Sequence, residues 1–361
     1  MSQNFWQGKK VFITGHTGFK GSWLTTWLKL LGASVTGYAL SPPSQPNLFE
    51  LANVANEMTS ICDDILNTTH LLQAIKEQRP DIVFHLAAQP LVHYSYAHPA
   101  ETYAVNVMGT VHLLEAVRAV DSVRAVIIVT SDKCYENKEW VWGYRETDSM
   151  GGFDPYSSSK GCAELVVSAY RRSYFNPIRY DQHGVALASV RAGNVIGGGD
   201  WAKDRLVPDL IRSFINKEVG VIRNPLAYRP WQYILDVLQG YLKLAENLWH
   251  KGAEFAQAWN FGPHDENIKN VAWIADKVAS LWGDGAKWSL GENPFADKET
   301  MSLRLDCNKS RALLGWEPKM TLNHTLENTV VWYLAHYRNK DMKKFTMEEI
   351  KKYENKEPHW Q

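Results

Sequence analysis

A tyrosine and a lysine four residues apart are the pair in this sequence best suited to acid–base chemistry. Tyr156 and Lys160 follow Asp154, a residue type that caps helices, and Pro155, which suits the first helical position. Side chains at i and i+4 share one face of a helix, so the ammonium group would lie beside the phenol. A positive neighbour favours the phenolate and lowers the tyrosine pKa from about 10. The pair therefore predicts a general base for an alcohol or sugar hydroxyl.

A second cluster of reactive side chains follows a run of β-branched residues that ends at Thr130. Ser131, Asp132 and Lys133 bring a hydroxyl, a carboxyl and an amine to consecutive positions. In an open sheet of parallel strands, ligands bind beyond the carboxyl ends of the strands. We therefore expect this triplet to lie in the same site as the tyrosine and the lysine.

A glycine motif near the N-terminus predicts a nucleotide cofactor. Residues 15–21 read Gly-His-Thr-Gly-Phe-Lys-Gly, between a strand-like run and an apolar helical pattern. Glycines at such a turn let the backbone approach a pyrophosphate, whose charge is met by the amides of the following helix. The spacing differs from the plain dinucleotide fingerprint, and a tight turn without a ligand is the alternative. The predicted cofactor contacts are Gly15, Thr17, Gly18, Phe19 and Gly21.

The choice between NAD and NADP is open from the residues alone. After the second predicted strand, residues 37–41 offer neither a carboxylate for a ribose hydroxyl nor arginines for a phosphate. Asp64, beside Ile65 after the third strand, is placed to accept a hydrogen bond from an adenine amino group. A helix cap explains Asp64 equally well.

The pattern of apolar residues predicts an α/β fold, a Rossmann-type doubly wound parallel sheet with a smaller C-terminal substrate-binding domain. The strands are predicted over residues 10–14, 34–40, 58–62, 81–86, 125–130 and 185–190, and helical segments over residues 21–31, 68–77 and 101–120. We expect a dinucleotide-binding domain over residues 1–195 with a returning segment near 232–262. The substrate-binding domain is expected over 196–231 and 263–345, and a peripheral tail over 346–361.

Composition excludes several classes of protein. The 361 residues include 39 Lys and Arg against 39 Asp and Glu, so the chain lacks the basic surplus of a nucleic-acid-binding protein. With 45% hydrophobic and 22% charged residues, it is not a disordered chain. Four sparse cysteines, no signal peptide and no long apolar run lead us to expect a cytoplasmic protein that spans no membrane. The histidines lack metal-ligand spacing, so no metal is expected.

Together these motifs resemble the extended short-chain dehydrogenase/reductase family, and within it the nucleotide-sugar 4,6-dehydratases. The resemblance covers nearly the whole chain and includes His-Leu-Ala-Ala-Gln at 85–89, Asn-Val-Met-Gly-Thr at 106–110 and Arg-Ala-Gly-Asn-Val-Ile-Gly at 191–197. It implies NAD as the cofactor, with Asn106 supporting the active-site lysine. Beyond the glycine motif, the implied NAD-binding residues are Asp64, Ile65, Leu86, Ala87, Ala88, Asn106, Thr130, Tyr156 and Lys160.

The resemblance also implies a dehydration. Related 4,6-dehydratases have Thr-Asp-Glu where this chain has Ser131-Asp132-Lys133. In having lysine at the third position, this chain resembles the members of the family that act on CDP-D-glucose. The implied roles are Tyr156 as base at the C4 hydroxyl, assisted by Lys160 and Ser131, Asp132 as acid at the C6 hydroxyl, and Lys133 as base at C5. In an alternative, Lys133 only positions Asp132. The implied product is CDP-4-keto-6-deoxy-D-glucose, a precursor of deoxysugars in surface polysaccharides such as the lipopolysaccharide O-antigen.

The resemblance places the substrate diphosphate near the segment that follows residue 190. The implied contacts are Asn194, Arg205, Leu206, Val207 and Arg229. For either arginine, a surface salt bridge is the alternative. It further implies a homodimer, or a tetramer, in which the helices over 101–120 and 156–170 pair across a two-fold axis. Two alternatives remain. A nucleotide-hexose 4-epimerase would not need Asp132, and a non-enzymatic NAD(P)-sensing regulator would not need Tyr156 or Lys160.

Overall fold

Seven parallel strands form the central sheet of the computed structural model, which describes residues 4–292 and 302–356. The strands of the described chain are β1 (Lys10–Thr14), β2 (Ser34–Ala39), β3 (Thr59–Cys62), β4 (Ile82–His85), β5 (Ala125–Val129), β6 (Ala186–Ala192), β7 (Val195–Ile196), β8 (Gly220–Ile222), β9 (Tyr228–Pro230), β10 (Gln232–Tyr233), β11 (Ala258–Phe261), β12 (Ile268–Asn270) and β13 (Trp288–Leu290). The central sheet has the order β3-β2-β1-β4-β5-β6-β11. The predicted Rossmann-type α/β fold is confirmed.

Helices cover both faces of this sheet. They are α1 (Phe19–Leu30), α2 (Leu48–Leu51), α3 (Thr68–Gln78), α4 (Val92–Ala97), α5 (Pro99–Tyr103), α6 (Gly109–Arg118), α7 (Pro155–Ser173), α8 (Tyr180–His183), α9 (Leu206–Ile215), α10 (Ile234–Lys251), α11 (Val271–Trp282), α12 (Asn308–Leu314), α13 (Leu322–Tyr337) and α14 (Met342–Glu354). The predicted helical segment over 101–120 is helical from residue 101 to residue 118, with a π-helical turn, Ala104–Met108, between α5 and α6.

The central strands are almost entirely apolar because each has two buried faces. In β5, Val126 and Ile128 pack with α3 and α6, whereas Ala125, Ile127 and Val129 pack on the opposite side with α1 and α10. The strand-like runs seen in the sequence therefore reflect a sheet that is covered on both sides.

The chain leaves the central sheet after β6 and returns to it with α10 and β11. Outside the sheet, β7 pairs with β10 and β8 with β13 in parallel, and β9 pairs with β12 in antiparallel. The division into two domains, with the boundaries given above, stays a prediction.

The segment from residue 346 lies largely in α14. Ile350 and Tyr353 are buried, and Trp27 Nε1 on α1 donates a hydrogen bond to Glu354 at 2.8 Å. Residues 357–361 of the predicted tail lie outside the described residues. The described part of this segment packs against the sheet-covering helix α1.

Candidate active site

The glycine turn joins the end of β1 to the start of α1. Gly15 has a φ of +76°, and a Cβ there would lie 2.6 Å from the backbone nitrogen of Ala87. A Cβ on Gly21 would lie 2.1 Å from the carbonyl oxygen of Gly15. Both positions need glycine because the backbone passes too close to leave room for a side chain. Among the described residues no side chain caps α1 at Gly18, so its first amides are available to an anion such as a pyrophosphate.

The first turn of α1 contacts the segment that follows β7. A Cβ on Gly197 would lie 3.3 Å from the ring of Phe19, and Trp23 Nε1 donates a hydrogen bond to the Gly198 carbonyl at 2.9 Å. On the other side, Thr17 Oγ1 donates to a backbone carbonyl just beyond β2 at 2.8 Å. The glycine turn is thus held between the end of β2 and the segment that leads toward the predicted substrate residues.

Asp64 lies just beyond β3 and does not cap α3. Its Oδ1 accepts a hydrogen bond from the backbone nitrogen of Leu66 at 2.9 Å. The N-cap of α3 is Asn67, whose side chain accepts from the backbone nitrogen of His70 at 3.2 Å. The helix-cap explanation of Asp64 is therefore wrong. Contacts of an adenine ring with Asp64 and the buried Ile65 stay a prediction.

A buried histidine fixes the backbone beyond β4. His85 is hydrogen-bonded through Nδ1 to Thr14 Oγ1 at 2.7 Å and through Nε2 to Thr110 Oγ1 at 3.3 Å. The same Thr14 hydroxyl accepts a hydrogen bond from the backbone nitrogen of Ala87 at 3.2 Å. Burial lowers the pKa of His85 to about 3, so the ring is neutral. These bonds hold segment 86–88, a predicted cofactor contact, against the glycine turn.

Asn106 lies in the π-helical turn between α5 and α6. Its side-chain oxygen accepts a hydrogen bond from the Gln89 backbone nitrogen at 2.9 Å, and its amide nitrogen donates to Ser159 Oγ at 2.8 Å. Ser159 directly precedes Lys160 on α7. Asn106 therefore fixes the helix that carries the lysine, and a direct contact with the Lys160 amine stays a prediction.

Ser131, Asp132 and Lys133 lie in and beside a 3₁₀ turn directly after β5. Ser131 Oγ donates a hydrogen bond to Asp132 Oδ1 at 3.0 Å and accepts one from the Lys133 backbone nitrogen at 3.2 Å. A Cβ on Gly193 would lie 3.0 Å from Asp132 Oδ2, so the segment after β6 passes close to this carboxyl. Burial raises the pKa of Asp132, against the lowering effect of the Lys133 charge. The environment therefore makes this carboxyl a weaker acid than an exposed aspartate.

Tyr156 and Lys160 lie one helical turn apart near the start of α7. Pro155 occupies the first helical position, and the side chain of Asp154 accepts a hydrogen bond from a backbone amide of the first turn at 2.9 Å. Tyr156 is 9% exposed and Lys160 is 5% exposed. The Lys160 amine donates to the carbonyl of Val129, at the end of β5, at 3.4 Å. The helix thus places both side chains beside the turn that follows β5.

Burial changes the acidity of this pair. It raises the pKa of Tyr156 to about 12, although a hydrogen bond with Ser131 and the charge of Arg205 act to lower it. Burial lowers the pKa of Lys160 to about 8, although Glu164 acts to raise it. In the protein alone the phenol pKa is raised, because loss of hydration outweighs the Ser131 hydrogen bond and the Arg205 charge. A lowering of that pKa by Lys160 stays a prediction.

Lys20, Asp200 and Arg205 form a charged cluster that interacts with Tyr156 and Asp132. Arg205 Nη1 donates a hydrogen bond to Asp200 Oδ2 at 2.7 Å. Lys20, half-buried in the first turn of α1, has its pKa lowered to about 8 by burial and by Arg205, while Asp132 raises it. Sequence analysis missed Lys20. Its signal was a lysine in the first turn of a helix, where the helix dipole disfavours a cation.

The predicted substrate residues fall in two places. The carbonyl of Asn194 accepts a hydrogen bond from the backbone nitrogen of Gln232 at 3.0 Å, which sets segment 193–194 beside β9 and β10. Arg229, on β9, is half-buried and donates through Nη1 to the Tyr228 carbonyl at 2.9 Å. The second place is the start of α9, which holds Arg205, Leu206 and Val207.

The described residues offer neither a metal centre nor a membrane span. Within residues 4–292 and 302–356, no three His, Cys, Asp or Glu side chains come together as a metal site. Across the same ranges, no helix is both long and apolar enough to cross a lipid bilayer. The side chains of the site are a phenol, a hydroxyl, a carboxyl and amines, which can transfer protons, next to a turn that suits a dinucleotide.

A doubly wound sheet with a glycine turn and a buried Tyr-x-x-x-Lys pair defines the fold and site of an extended short-chain dehydrogenase/reductase. The chain belongs to the GDP-mannose 4,6 dehydratase family, whose sequence profile matches residues 12–329. It is similar to the CDP-glucose 4,6-dehydratase of Salmonella typhimurium, with 56% identity over 354 residues that cover 98% of each chain.

Two solved structures show the same fold. The UDP-glucose 4-epimerase of Thermotoga maritima with UDP-glucose superposes with a TM-score of 0.77 at 22% identity, over 91% of this chain and 99% of that one. The dTDP-glucose 4,6-dehydratase of Bacillus anthracis in complex with NAD gives a TM-score of 0.74 at 21% identity, over 94% and 100%. Both likenesses concern the fold.

Proposed function

We propose that this chain is an NAD-dependent 4,6-dehydratase that converts CDP-D-glucose to CDP-4-keto-6-deoxy-D-glucose and water, a step towards deoxysugars of surface polysaccharides. One observation carries the proposal: the buried turn with Ser131, Asp132 and Lys133 stands beside Tyr156 in a chain 56% identical to a CDP-glucose 4,6-dehydratase. An epimerase needs a base at the C4 hydroxyl but no acid at C6, so Asp132 favours the dehydratase.

NAD fits the residues of the glycine turn. A Cβ on Gly15 or Gly21 would fill the space beside the backbone, and the N-terminus of α1 lacks a side-chain cap among the described residues. When bound, NAD supplies the acceptor for the C4 hydride and gives the hydride back at C6. The residues proposed to hold it are Gly15, Thr17, Gly18, Phe19, Gly21, Asp64, Ile65, Leu86, Ala87, Ala88, Asn106, Thr130, Tyr156 and Lys160.

Oxidation at C4 requires removal of the hydroxyl proton. Tyr156 takes this proton as phenolate, and the Ser131 hydroxyl donates a hydrogen bond to the C4 oxygen. Because burial raises the pKa of Tyr156 to about 12, the phenolate depends on positive charge. Arg205 acts in this direction, and Lys160 is proposed to add to it. The ketone that forms at C4 makes the neighbouring C5 proton acidic.

Elimination then removes water across C5 and C6. Lys133 takes the C5 proton, a role that requires its amine to have lost its own proton first, and the electron pair of the C5–H bond forms the C5–C6 double bond as the C6–O bond breaks. Asp132 gives its proton to the departing hydroxyl, which leaves as water. Lys133 then returns the proton it took to C5, as C6 regains a hydrogen and the double bond is lost. Burial raises the pKa of Asp132, which is the direction that proton donation at this step requires.

The substrate diphosphate is proposed to bind between the two groups of predicted contacts, Asn194 with Arg229 and the start of α9. Arginine suits this role because its planar fork pairs two phosphate oxygens. Arg205 is held by Asp200 at 2.7 Å, which orients the guanidinium before any ligand arrives. Leu206 and Val207 follow Arg205 at the start of α9 and are proposed to contact the substrate as well.

The test is incubation of the purified protein with NAD and CDP-glucose. A 4-keto-6-deoxy sugar, seen by its absorbance in alkali and by proton NMR, is the expected product. UDP-, dTDP- and GDP-glucose serve as matched substrates, and conversion is expected to be fastest with the cytidine sugar. CDP-galactose as the product would identify an epimerase, and no product from any of the four would contradict the proposal.

The proposal includes assembly as a homodimer, or a tetramer, through α6 and α7. Leu165 on α7 is 60% exposed, and Met108, directly before α6, is 45% exposed, which supports an apolar contact face. Light scattering coupled to size exclusion is expected to show twice or four times the 41.1 kDa chain mass. A monomer at micromolar concentration would contradict it.

The proposed location is the cytoplasm. All four cysteines are free thiols in the structure, which fits a reducing compartment. Cell fractionation is expected to recover the protein with cytoplasmic markers. The proposed domain division keeps its boundaries, 1–195 with 232–262 for NAD, and 196–231 with 263–345 for the nucleotide sugar.

A further inference from the structure

A buried carboxylate lies one helical turn beyond Lys160 and has no part in the mechanism above. Glu164, on α7, is 4% exposed. Its Oε1 accepts a hydrogen bond from Thr130 Oγ1 at 2.5 Å, and its Oε2 accepts from Ser189 Oγ at 2.7 Å and from Arg191 Nη2 at 2.8 Å. Three elements therefore meet at this carboxylate: α7, the end of β5 and β6.

The hydrogen bonds give Glu164 a fixed place relative to the catalytic turn. Thr130, its donor, directly precedes Ser131, and the Lys160 amine donates to the carbonyl of Val129, one residue earlier, at 3.4 Å. The Glu164 carboxylate and the Lys160 amine are thus hydrogen-bonded to consecutive residues, Thr130 and Val129, at the end of β5. Burial would raise the pKa of Glu164, but Arg191 and the hydroxyl donors hold it below its usual value. The group is charged.

Glu164 supplies the negative charge that Lys160 faces. The other titratable groups that interact with Lys160 in the described residues are Cys134, His85 and Lys20. Burial raises the thiol pKa of Cys134 well above its usual value, so it stays neutral, and His85 is neutral as well. Lys20 adds a positive charge that repels the ammonium.

We infer that Glu164 is a positioning residue for C4 oxidation: its carboxylate keeps the Lys160 amine charged and placed at the end of β5. A charged lysine is what the phenolate of Tyr156 needs, so Glu164 acts on the base through the lysine. The ion pair with Arg191 could instead serve stability alone. That role predicts no effect on the titration of Lys160, which separates the two explanations.

The direct test follows the protonation of Lys160 by NMR of protein labelled with ¹³C at the lysine ε-carbons, the Lys160 signal being assigned by its loss in Lys160→Met. In Glu164→Gln the Lys160 pKa is expected to fall below the wild-type value of about 8, because burial then acts without its counter-charge. The matched control is Ser189→Ala, which removes one hydrogen bond from the same carboxylate and keeps its charge. An unchanged Lys160 titration in Glu164→Gln overturns the inference.

A second variant covers the case in which Glu164→Gln does not fold. That change leaves the Arg191 guanidinium buried without its partner, which destabilises a fold strongly. Glu164→Gln combined with Arg191→Met removes both charges. A smaller fall in the Lys160 pKa is expected there, because loss of the Arg191 charge acts in the opposite direction. A wild-type titration in both variants overturns the inference.

A kinetic measurement, which rests on the proposed function, completes the test. The alkaline limb of the kcat profile is expected to move to lower pH in the Glu164 variants, with an unchanged KM for CDP-glucose, and to stay in place in Ser189→Ala. The NMR titration needs no substrate. If the wild-type protein converts no nucleotide sugar, the proposed function fails while the role of Glu164 is still decided by the titration.

Discussion

Burial raises the pKa of Tyr156 and lowers the pKa of Lys160. It favours the neutral phenol and the neutral amine, whereas the proposed base needs both groups charged. The pair can work only where other charges compensate. Arg205 lowers the pKa of Tyr156, Glu164 raises that of Lys160, and the positive nicotinamide ring of bound NAD would add to the first effect.

Replacing Arg205 is expected to raise the Tyr156 pKa further. In Arg205→Met the acid limb of the kcat profile should move to higher pH, because the phenolate is then formed only at higher pH. If the limb moves by one pH unit, kcat at a fixed pH on that limb falls about tenfold. Lys203→Met, which removes an exposed cation two residues earlier, is the control and should leave the limb in place. An unmoved limb in Arg205→Met would contradict the role.

Replacing Lys133 tests its assignment as the C5 base. In Lys133→Met, C4 oxidation should still appear as a transient of reduced cofactor in single turnover, while release of keto sugar falls by about 10²–10⁴-fold. Exchange of the C5 proton with deuterium in the solvent should be lost as well. Wild-type turnover in this variant would sink the assignment and leave Lys133 as a group that only positions Asp132.

The residue types of the site were predictable because the order hydroxyl, carboxyl, amine and the Tyr-x-x-x-Lys spacing are visible in the chain. The pKa shifts were not, because they depend on how much of Tyr156 and Lys160 is covered by other elements. The roles of Lys20 and Glu164 were not predictable either, because each depends on a group distant in sequence. Lys20 interacts with Asp132, and Glu164 accepts a hydrogen bond from Arg191.

At the scale of elements, the turn between β1 and α1 is where the backbone is most constrained. Its glycines have no side chains, so the backbone of the turn lies directly against segment 86–88 and the first amides of α1. The adjacent π-helical turn, Ala104–Met108, was not predictable from periodicity, because it accompanies the side-chain bonds of Asn106 to Gln89 and Ser159. The buried strands were predictable, because two covered faces produce near-continuous apolar runs.

Gly15→Ala is expected to abolish tight NAD binding and to lower the melting temperature. The new Cβ meets the backbone of Ala87 at 2.6 Å and sits at a φ of +76°, so a backbone clash adds to conformational strain. Gly8→Ala is a matched control, since Gly8 has a φ of +74° and no atom within 4 Å of the added Cβ. Backbone strain in Gly8→Ala should lower the free energy of unfolding by about 1–2 kcal/mol, and NAD binding should be unchanged. Equal effects in both variants, measured by calorimetry and NAD titration, would rule out the clash.

At the scale of the whole molecule, two buried carboxylates join the C-terminal helix to the rest of the protein. Asp236, at the start of α10, accepts a hydrogen bond from the Tyr353 hydroxyl at 2.7 Å, and Glu349 accepts one from Tyr233. Burial raises the pKa of each to about 7. These groups bind a proton more tightly in the folded state, so their contribution to stability is present below about pH 4 and is lost as the pH rises through 7.

Glu349→Gln is expected to stabilise the protein above pH 7. The amide stays neutral where the buried carboxylate must ionise, and Glu349 Oε2 has no hydrogen-bond partner among the described residues that an amide would lose. The wild-type free energy of unfolding should fall by up to about 1.4 kcal/mol per pH unit through this group between pH 5 and 7, and the variant should lack that part. Glu348→Gln, at the exposed neighbouring position, is the control. A variant with the wild-type pH dependence would show that Glu349 does not titrate in this range.

β6 can pair with β5 on the ribosome as soon as residue 192 has left the exit tunnel, but its other edge waits for β11, about 65 residues later. At about 5–20 residues per second, that interval lasts about 3–13 s. During this time a strand with seven buried positions in the finished protein presents an open edge, a template for aggregation. The nascent chain therefore carries this open edge while the residues proposed to bind the nucleotide sugar are being made, and chaperone occupancy should rise in that interval.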